Sequence, residues 1–180
     1  MTPVFPDWGG MLPILEAAKT IIERDIAAAL TWRAGLDSST AGPAFTRVQL
    51  TQRHSQAFPL LIIQPATNAP LPLGTGGVQQ QMVFDVEIFI TKNAGSGNPS
   101  DAIDELAREL IRYYDATVMA FLSAPDSDWL ANFPAGADAG KIDPWCTNAV
   151  FGQLQQSREV NSEYLHSVAF ELQLRFIEAQ

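Results

Sequence analysis

The sequence predicts an α+β fold, a mostly antiparallel β-sheet of about five strands with two main helices packed on one face. Three observations predict it. Two long segments carry apolar residues at helical spacing, and two others alternate apolar with polar residues. These units also follow one another as α-β-β-β-α-β-β. A doubly wound fold would alternate strand and helix throughout, whereas a run of strands between two helices points to antiparallel pairing. The chain of 180 residues is long enough for one domain with its own core. Its 47% hydrophobic against 17% charged residues place it outside the disordered class.

The first helix is expected from about Pro13 to Arg33. Pro13 suits a first helical position and Gly35 a C-terminal cap. Ile14, Ala18, Ile21, Ile22, Ala29 and Trp32 recur on one side as its core face. Residues 36–44 read as a loop. Two strand segments follow, Thr46 to Arg53 and the dense run Phe58 to Gln64, with Pro59 at a strand start or edge. Residues 65–77 hold three prolines and three glycines, so the expectation is a mobile loop without regular structure. Met82 to Ile90 is a clear strand, able to start as early as Val78. Met82, Phe84, Val86, Ile88 and Ile90 point one way, and Asp85 and Glu87 the other.

Asn98-Pro99-Ser100-Asp101 combines a capping Asn, Pro at the first helical position and an acid in the first turn. The helix it opens runs to about Leu122, with Ile103, Leu106, Leu110, Tyr113, Tyr114, Thr117, Val118 and Phe121 as its buried stripe. Residues 123–145 read as a long irregular segment, with one short turn near Asp128 to Phe133. Two strands close the chain, Ala149 to Arg158 and Tyr164 to Phe176. In the second, Val168, Phe170, Leu172, Leu174 and Phe176 face inward while Glu171, Gln173 and Arg175 face outward.

The totals exclude several function classes. A net charge of -9 is incompatible with a general phosphate-neutralising surface, so specific nucleic-acid binding is not expected. Cys146 is the only cysteine, which rules out an intramolecular disulfide and fits a reducing compartment. Pro6 and Pro13 interrupt the N-terminal segment, which has no basic n-region. No stretch approaches the roughly 18 apolar residues that span a membrane.

No catalytic, metal or cofactor site emerges. His54 and His166 are the only histidines and lie far apart. With one cysteine they supply no zinc-type ligand pair. Cys146 has no neighbouring base to activate it and reads as a small buried hydrophobe. Gly74-Thr75-Gly76-Gly77 lacks the Lys-Ser/Thr of a P-loop, and a strand follows it where a phosphate site needs a helix N-terminus. Asp85 and Glu87 are spaced like an acid–base pair but also like any solvated strand face. The apolar residues in irregular segments, Leu71, Leu73, Trp129, Phe133 and Trp145, are instead candidate contacts with other protein surfaces.

Several stretches, taken in order, resemble the tail-terminator, or tail-completion, proteins of tailed bacteriophages. They are the N-terminal amphipathic helix, FPLLIIQP (58–65), MVFDVEIFIT (82–91), DAIDELARELIRYYDATVMAFL (101–122) and VFGQLQQSREVNSEYLHSVAFELQLRFIE (150–178). The resemblance implies a structural virion protein without enzymatic activity or cofactor. It assembles in the host cytoplasm and resides in the tail. Such subunits form a ring, commonly hexameric, that ends the tail tube and offers the surface joining tail to head. The implied partners are copies of itself, the tail-tube protein and a head-completion or connector protein. DNA passes through the ring without specific binding. On this reading Leu71, Leu73, Trp129, Phe133 and Trp145 touch neighbouring subunits or the tube. Another neck, connector or baseplate component is the alternative, and a small-ligand binder or enzyme a third.

Overall fold

The computed structural model describes residues 11–50, 57–72, 78–93, 95, 97–132, 141–156 and 163–177, with the backbone alone at 68–72, 78–80 and 176–177. It is α+β. Helix α1 (Met11–Leu36) leads into strands β1 (Arg47–Gln49), β2 (Leu60–Pro72) and β3 (Val78–Asn93). Helices α2 (Pro99–Ser123) and α3 (Asp126–Trp129) follow, then strands β4 (Lys141–Phe151), β5 (Gln155–Gln156) and β6 (Glu163–Ile177). The strands form one mixed sheet in the order β1-β2-β3-β6-β4, with β5 also paired to β6. Among the described residues only the β1–β2 pair is parallel.

The sheet centres on β3 and β6, paired without a break from Gln79↔Ile177 to Asn93↔Glu163. Because side chains alternate, this register sets Met82, Phe84, Val86, Ile88 and Ile90 beside Leu174, Leu172, Phe170, Val168 and His166 on one face. Both long helices pack on that face, and the core lies between. The opposite face holds a small apolar cluster, Leu60, Ile62 and Phe89 with Phe58 and Leu165 against it.

In α1 the buried positions Ile22, Ile26, Leu30 and Ala34 recur every four residues, which keeps one stripe on the sheet. Trp32 was expected on that stripe and is instead 46% exposed. It follows Leu30 by two residues, roughly 200° around the helix. In α2 the cap forms as the sequence predicts, with the Ser100 N–H donating to Asn98 Oδ1 at 3.1 Å. Leu106, Leu110, Tyr113, Ala116, Thr117, Ala120 and Phe121 are buried, while Ile103, Tyr114 and Val118 are only partly so.

Residues 65–72 correct the expectation of a loop over 65–77, for they extend β2 and pair with β3 as far as Pro72↔Val78. A proline fits a strand only where its missing N–H would face away from the partner. Here Pro65, Pro70 and Pro72 pair with Phe84, Gln80 and Val78, every one in the same phase of the ladder. The register shift between Pro65 and Thr67 puts them there, by leaving Ala66 as the extra residue. Open on its other side beyond β1, this part of β2 is an edge that tolerates all three. Residues 73–77 lie outside the described residues.

The segment 123–145 is also more regular than expected. Arg24 ties α3 to α1 through Asp128 at 2.7 Å, and the Ile142 N–H donates to Asp126 at 3.3 Å. β4 already begins at Lys141, so the strand expected from Ala149 to Arg158 is displaced. β4 ends at Phe151, and β5 covers only Gln155–Gln156. A register shift between Thr147 and Val150, with Asn148 at φ 56°, bends β4 where its ladder is interrupted.

The irregular stretch 37–46 is held down by α2. Tyr113 donates its hydroxyl to Pro43 O at 2.6 Å, passing so close to Gly42 that a Cβ there would lie 2.8 Å from the hydroxyl oxygen. The Arg112 guanidinium donates to Asp37 at 2.9 Å.

Two predictions follow from this architecture. Leu172 is fully buried on the central strand, so Leu172→Asp strands an unpaired charge costing several kcal/mol, comparable to a domain's whole stability. Circular dichroism should show no folded Leu172→Asp protein, while Ala169→Ser, on the exposed face of the same strand, should melt as the wild type does. The second concerns Asp37, whose carboxyl is held down to about 2 by Ser39 and Arg112. A depressed folded pKa contributes stability above the unfolded value of 3.8 and loses it as pH falls through the folded one. Denaturant titrations from about pH 4 to about pH 2 should therefore show a smaller loss of stability for Asp37→Asn than for the wild type.

Candidate functional site

The polar residues that could carry chemistry are dispersed. His166 lies on β6, its ring partly buried and its pKa lowered by that burial, with the Ser167 N–H donating to Nδ1 at 3.1 Å. Cys146 lies on β4 opposite Leu172, packed against the core, and burial pushes its thiol up to about 12. His54 and Gly74-Thr75-Gly76-Gly77 lie outside the described residues. Among the described residues no three of His, Cys, Asp and Glu are grouped to hold a metal ion, and no helix is long and apolar enough to cross a membrane.

One small polar cavity of about 220 Å³ opens between α1, α2 and residues 40–42. Its charges are mostly engaged. Lys92 pairs with Glu105 at 2.7 Å, Arg112 is held by Asp37, and the Tyr113 hydroxyl is held by Pro43. Burial raises the pKa of the Glu109 carboxyl on its wall. The walls bring no nucleophile within reach of a base, which acyl transfer or hydrolysis would need.

The sheet face away from the helices mixes the apolar cluster around Ile62 and Phe89, and Trp145, with polar and charged side chains of both signs, Arg175 among them. Asp85 and Glu171 stand directly opposite each other across β3 and β6. Hydrogen bonds from Asn148 and Gln173 hold the Glu171 carboxyl below its usual range. Gln173 faces outward, as the alternation predicts, yet it is not idle. It is instead a hub, accepting from Gln81 at 3.0 Å and donating to Glu171 at 2.7 Å and Thr147 at 3.1 Å. Like charges in register on one face repel a polyanion.

The surface least like that of an isolated soluble domain is apolar and lies on the helix layer. Trp32 and Leu36, four residues apart, project from the end of α1, with Leu36 64% exposed. Facing them, α2 carries a second apolar stripe, Ile111, Val118 and Leu122, flanked by Tyr114 and Met119. Between the two lies a groove of about 560 Å³ lined by Trp32, Leu36, Tyr114, Val118 and Met119 together with the charged Arg33, Asp37 and Asp115. Its charged neighbours satisfy one another, for the Arg33 guanidinium donates to Asp115 at 2.7 Å and lies 3.3 Å from Asp37. Tyr114 extends the surface to the sheet edge, with its ring edge-on to exposed Phe151 of β4, centroids 5.9 Å apart.

The contact residues expected from the sequence do not coincide with this surface. Trp129 is fully buried, against Phe121 at 5.9 Å between centroids, so it belongs to the core and offers no surface to a partner. Trp145 is half-buried on β4 with the Arg175 guanidinium 5.3 Å from its ring centre. Leu71 occupies a ladder position on β2 opposite Gln79, while Leu73 and Phe133 lie outside the described residues. Sequence reasoning missed Trp32, Leu36, Ile111, Met119, Leu122 and Phe151. The readable signal was that α2 has more apolar residues than one core-facing stripe can hold.

No protein-family profile and no curated protein sequence matches this chain.

Burial of Cys146 gives a direct check. Its native thiol should resist alkylation at about pH 8 and react readily once the chain is unfolded, since only the thiolate attacks. Equal rates in both states would place the thiol at the surface.

Proposed function

We propose that this chain is a structural subunit that works by assembling through its helix layer. We further propose that the assembly is a ring ending a bacteriophage tail tube. The observation that carries the assembly reading is the exposure of Trp32, Leu36 and Met119 around one groove, with Ile111, Leu122 and Phe151 also exposed on α2 and β4. Isolated domains rarely expose a continuous apolar patch beyond a few hundred Å², and larger ones mark protein contacts. The tail-terminator part rests on the sequence resemblance, whose segments correspond to α1, the β2–β3 hairpin, α2 and the closing strand β6.

In this reading the helix layer meets neighbouring subunits, and the ring contacts the tail-tube protein and a head-completion or connector protein. Asp85 opposite Glu171 on the outer sheet face supports passage of DNA without binding, because a negative lining does not trap a polyanion. The protein then needs no catalytic group and no cofactor, and it resides in the virion tail after assembly in the host cytoplasm.

Light scattering after size exclusion, over a concentration series with and without tail tubes, tests the proposal. The wild type should exceed the monomer mass or cap the tubes. The double variant Trp32→Ser, Met119→Ser should stay monomeric and leave tubes uncapped, with its melting temperature unchanged because both side chains are exposed. A wild type that is monomeric throughout and ignores tail tubes would overturn the reading.

A further inference from the structure

We infer that the cavity between α1, α2 and residues 40–42 binds a compact organic monocation, an alkylammonium or guanidinium group, on the Glu109 carboxylate. The inference is independent of the assembly reading. It starts from a count of charges. Lys92, Arg112, Glu105 and Glu109 are the charged side chains that line the cavity. Lys92 is taken by Glu105 at 2.7 Å, and Arg112 by Asp37 at 2.9 Å. Glu109 is left over. Its side chain is half-buried, and among the described residues no hydrogen bond or ion pair reaches it. A carboxylate withdrawn from water without a partner costs free energy, and a bound cation with N–H donors offsets that cost. The upward shift that burial gives the Glu109 carboxyl agrees with an acid that has lost water and gained no donor.

The walls select the kind of cation. A bare metal ion needs several oxygen ligands, and among the described residues no three of His, Cys, Asp and Glu are grouped to supply them. An anion would meet Glu105 and Glu109 with both basic groups already engaged. A cation that carries carbon fits. Leu30, Ala34 and Ala41 offer apolar wall to its alkyl part, and Tyr113 adds an aromatic ring, a surface that attracts cations. Thr40 adds a hydroxyl able to accept a hydrogen bond.

Size and rigidity narrow the ligand further. About 220 Å³ lies below the roughly 300–1,000 Å³ of sites for drug-sized molecules, so the cavity takes one small group. Residues 37–43 are tied to α2 at both ends, by Arg112 on Asp37 and by the Tyr113 hydroxyl on Pro43. The wall made by residues 40–42 is thus in place before a ligand arrives. A free amine and a Lys or Arg side chain of another copy of the chain carry the same cationic group.

The test titrates the full-length chain with n-butylammonium, with ethylguanidinium and with neutral 1-butanol, followed by amide NMR shifts at Thr40, Ala41 and Glu109. Both cations should saturate the site, and the alcohol should bind at least about tenfold more weakly. Glu109→Gln should weaken cation binding about tenfold without lowering the melting temperature, because it removes a charge that has no partner. Ala41→Leu, which fills the cavity and keeps the carboxylate, should abolish the same shifts. Absence of saturable binding, cation binding unchanged by both substitutions, or equally tight binding of the alcohol would each overturn the inference. A lower melting temperature for Glu109→Gln would also overturn it, by giving the carboxylate a partner within the fold. Sedimentation velocity then separates the two sources. Weaker self-association of Glu109→Gln assigns the group to a basic side chain of a neighbouring copy. Unchanged association together with butylammonium binding assigns it to a free amine.

Discussion

The rest of the molecule depends on the ladder between β3 and β6. It runs unbroken from Gln79↔Ile177 to Asn93↔Glu163 and fixes which side chains face the helices. A slip of one residue would turn Phe84 and Leu172 to solvent and bring Asp85 and Glu171 into the core, so the pattern of burial enforces the register. β2 and β4 add to its two sides, and α1 and α2 lie over the apolar face it creates. The same alternation builds the face on the other side, where Gln81, Gln173, Glu171 and Thr147 share hydrogen bonds.

Helix α2 links the fold to the proposed assembly because it exposes apolar side chains as well as burying them. One stripe, Leu106, Leu110, Tyr113, Thr117 and Phe121, covers the sheet, and Tyr113 also pins residues 42–43. On the other side Ile111 and Leu122 are exposed, while Val118, packed against the core at one edge, also lines the groove with Trp32 and Leu36 of α1. A monomer gains nothing from a second stripe left in water, whereas an assembling subunit buries it. Around the 220 Å³ cavity Lys92, Glu105 and Arg112 are committed to loop-holding and ion pairs, and the walls do not converge on a reacting centre.

Much of this was legible in the sequence because local pattern and tertiary role agree there. β3 and β6 alternate cleanly, and α2 opens with a cap whose hydrogen bond is made. Reading failed where one signal stood for another. Three prolines in 65–72 look like a loop, yet an edge strand with an extra residue at Ala66 holds them all in one tolerated phase. Lys141 to Thr147 has little alternation and a proline, so β4 shows only once β6 is there to pair with it. Trp129, in a short helix after α2, looked exposed by its irregular context and is core. Trp32 looked like core by being large and apolar, but it lies two residues off the buried stripe. The proposed contact surface stayed hidden because its members come from α1, α2 and β4, which only the fold brings together.

In the proposed assembly the apolar helix-layer surface is covered. Hydroxyl-radical footprinting of the wild type across a dilution series reads that surface directly. The account requires oxidation of Trp32 and Met119 to fall as concentration rises or tail tubes are added, while fully buried Trp129 stays protected throughout. Undiminished oxidation of Trp32 and Met119 in protein shown to be assembled would contradict it and place the contacts elsewhere.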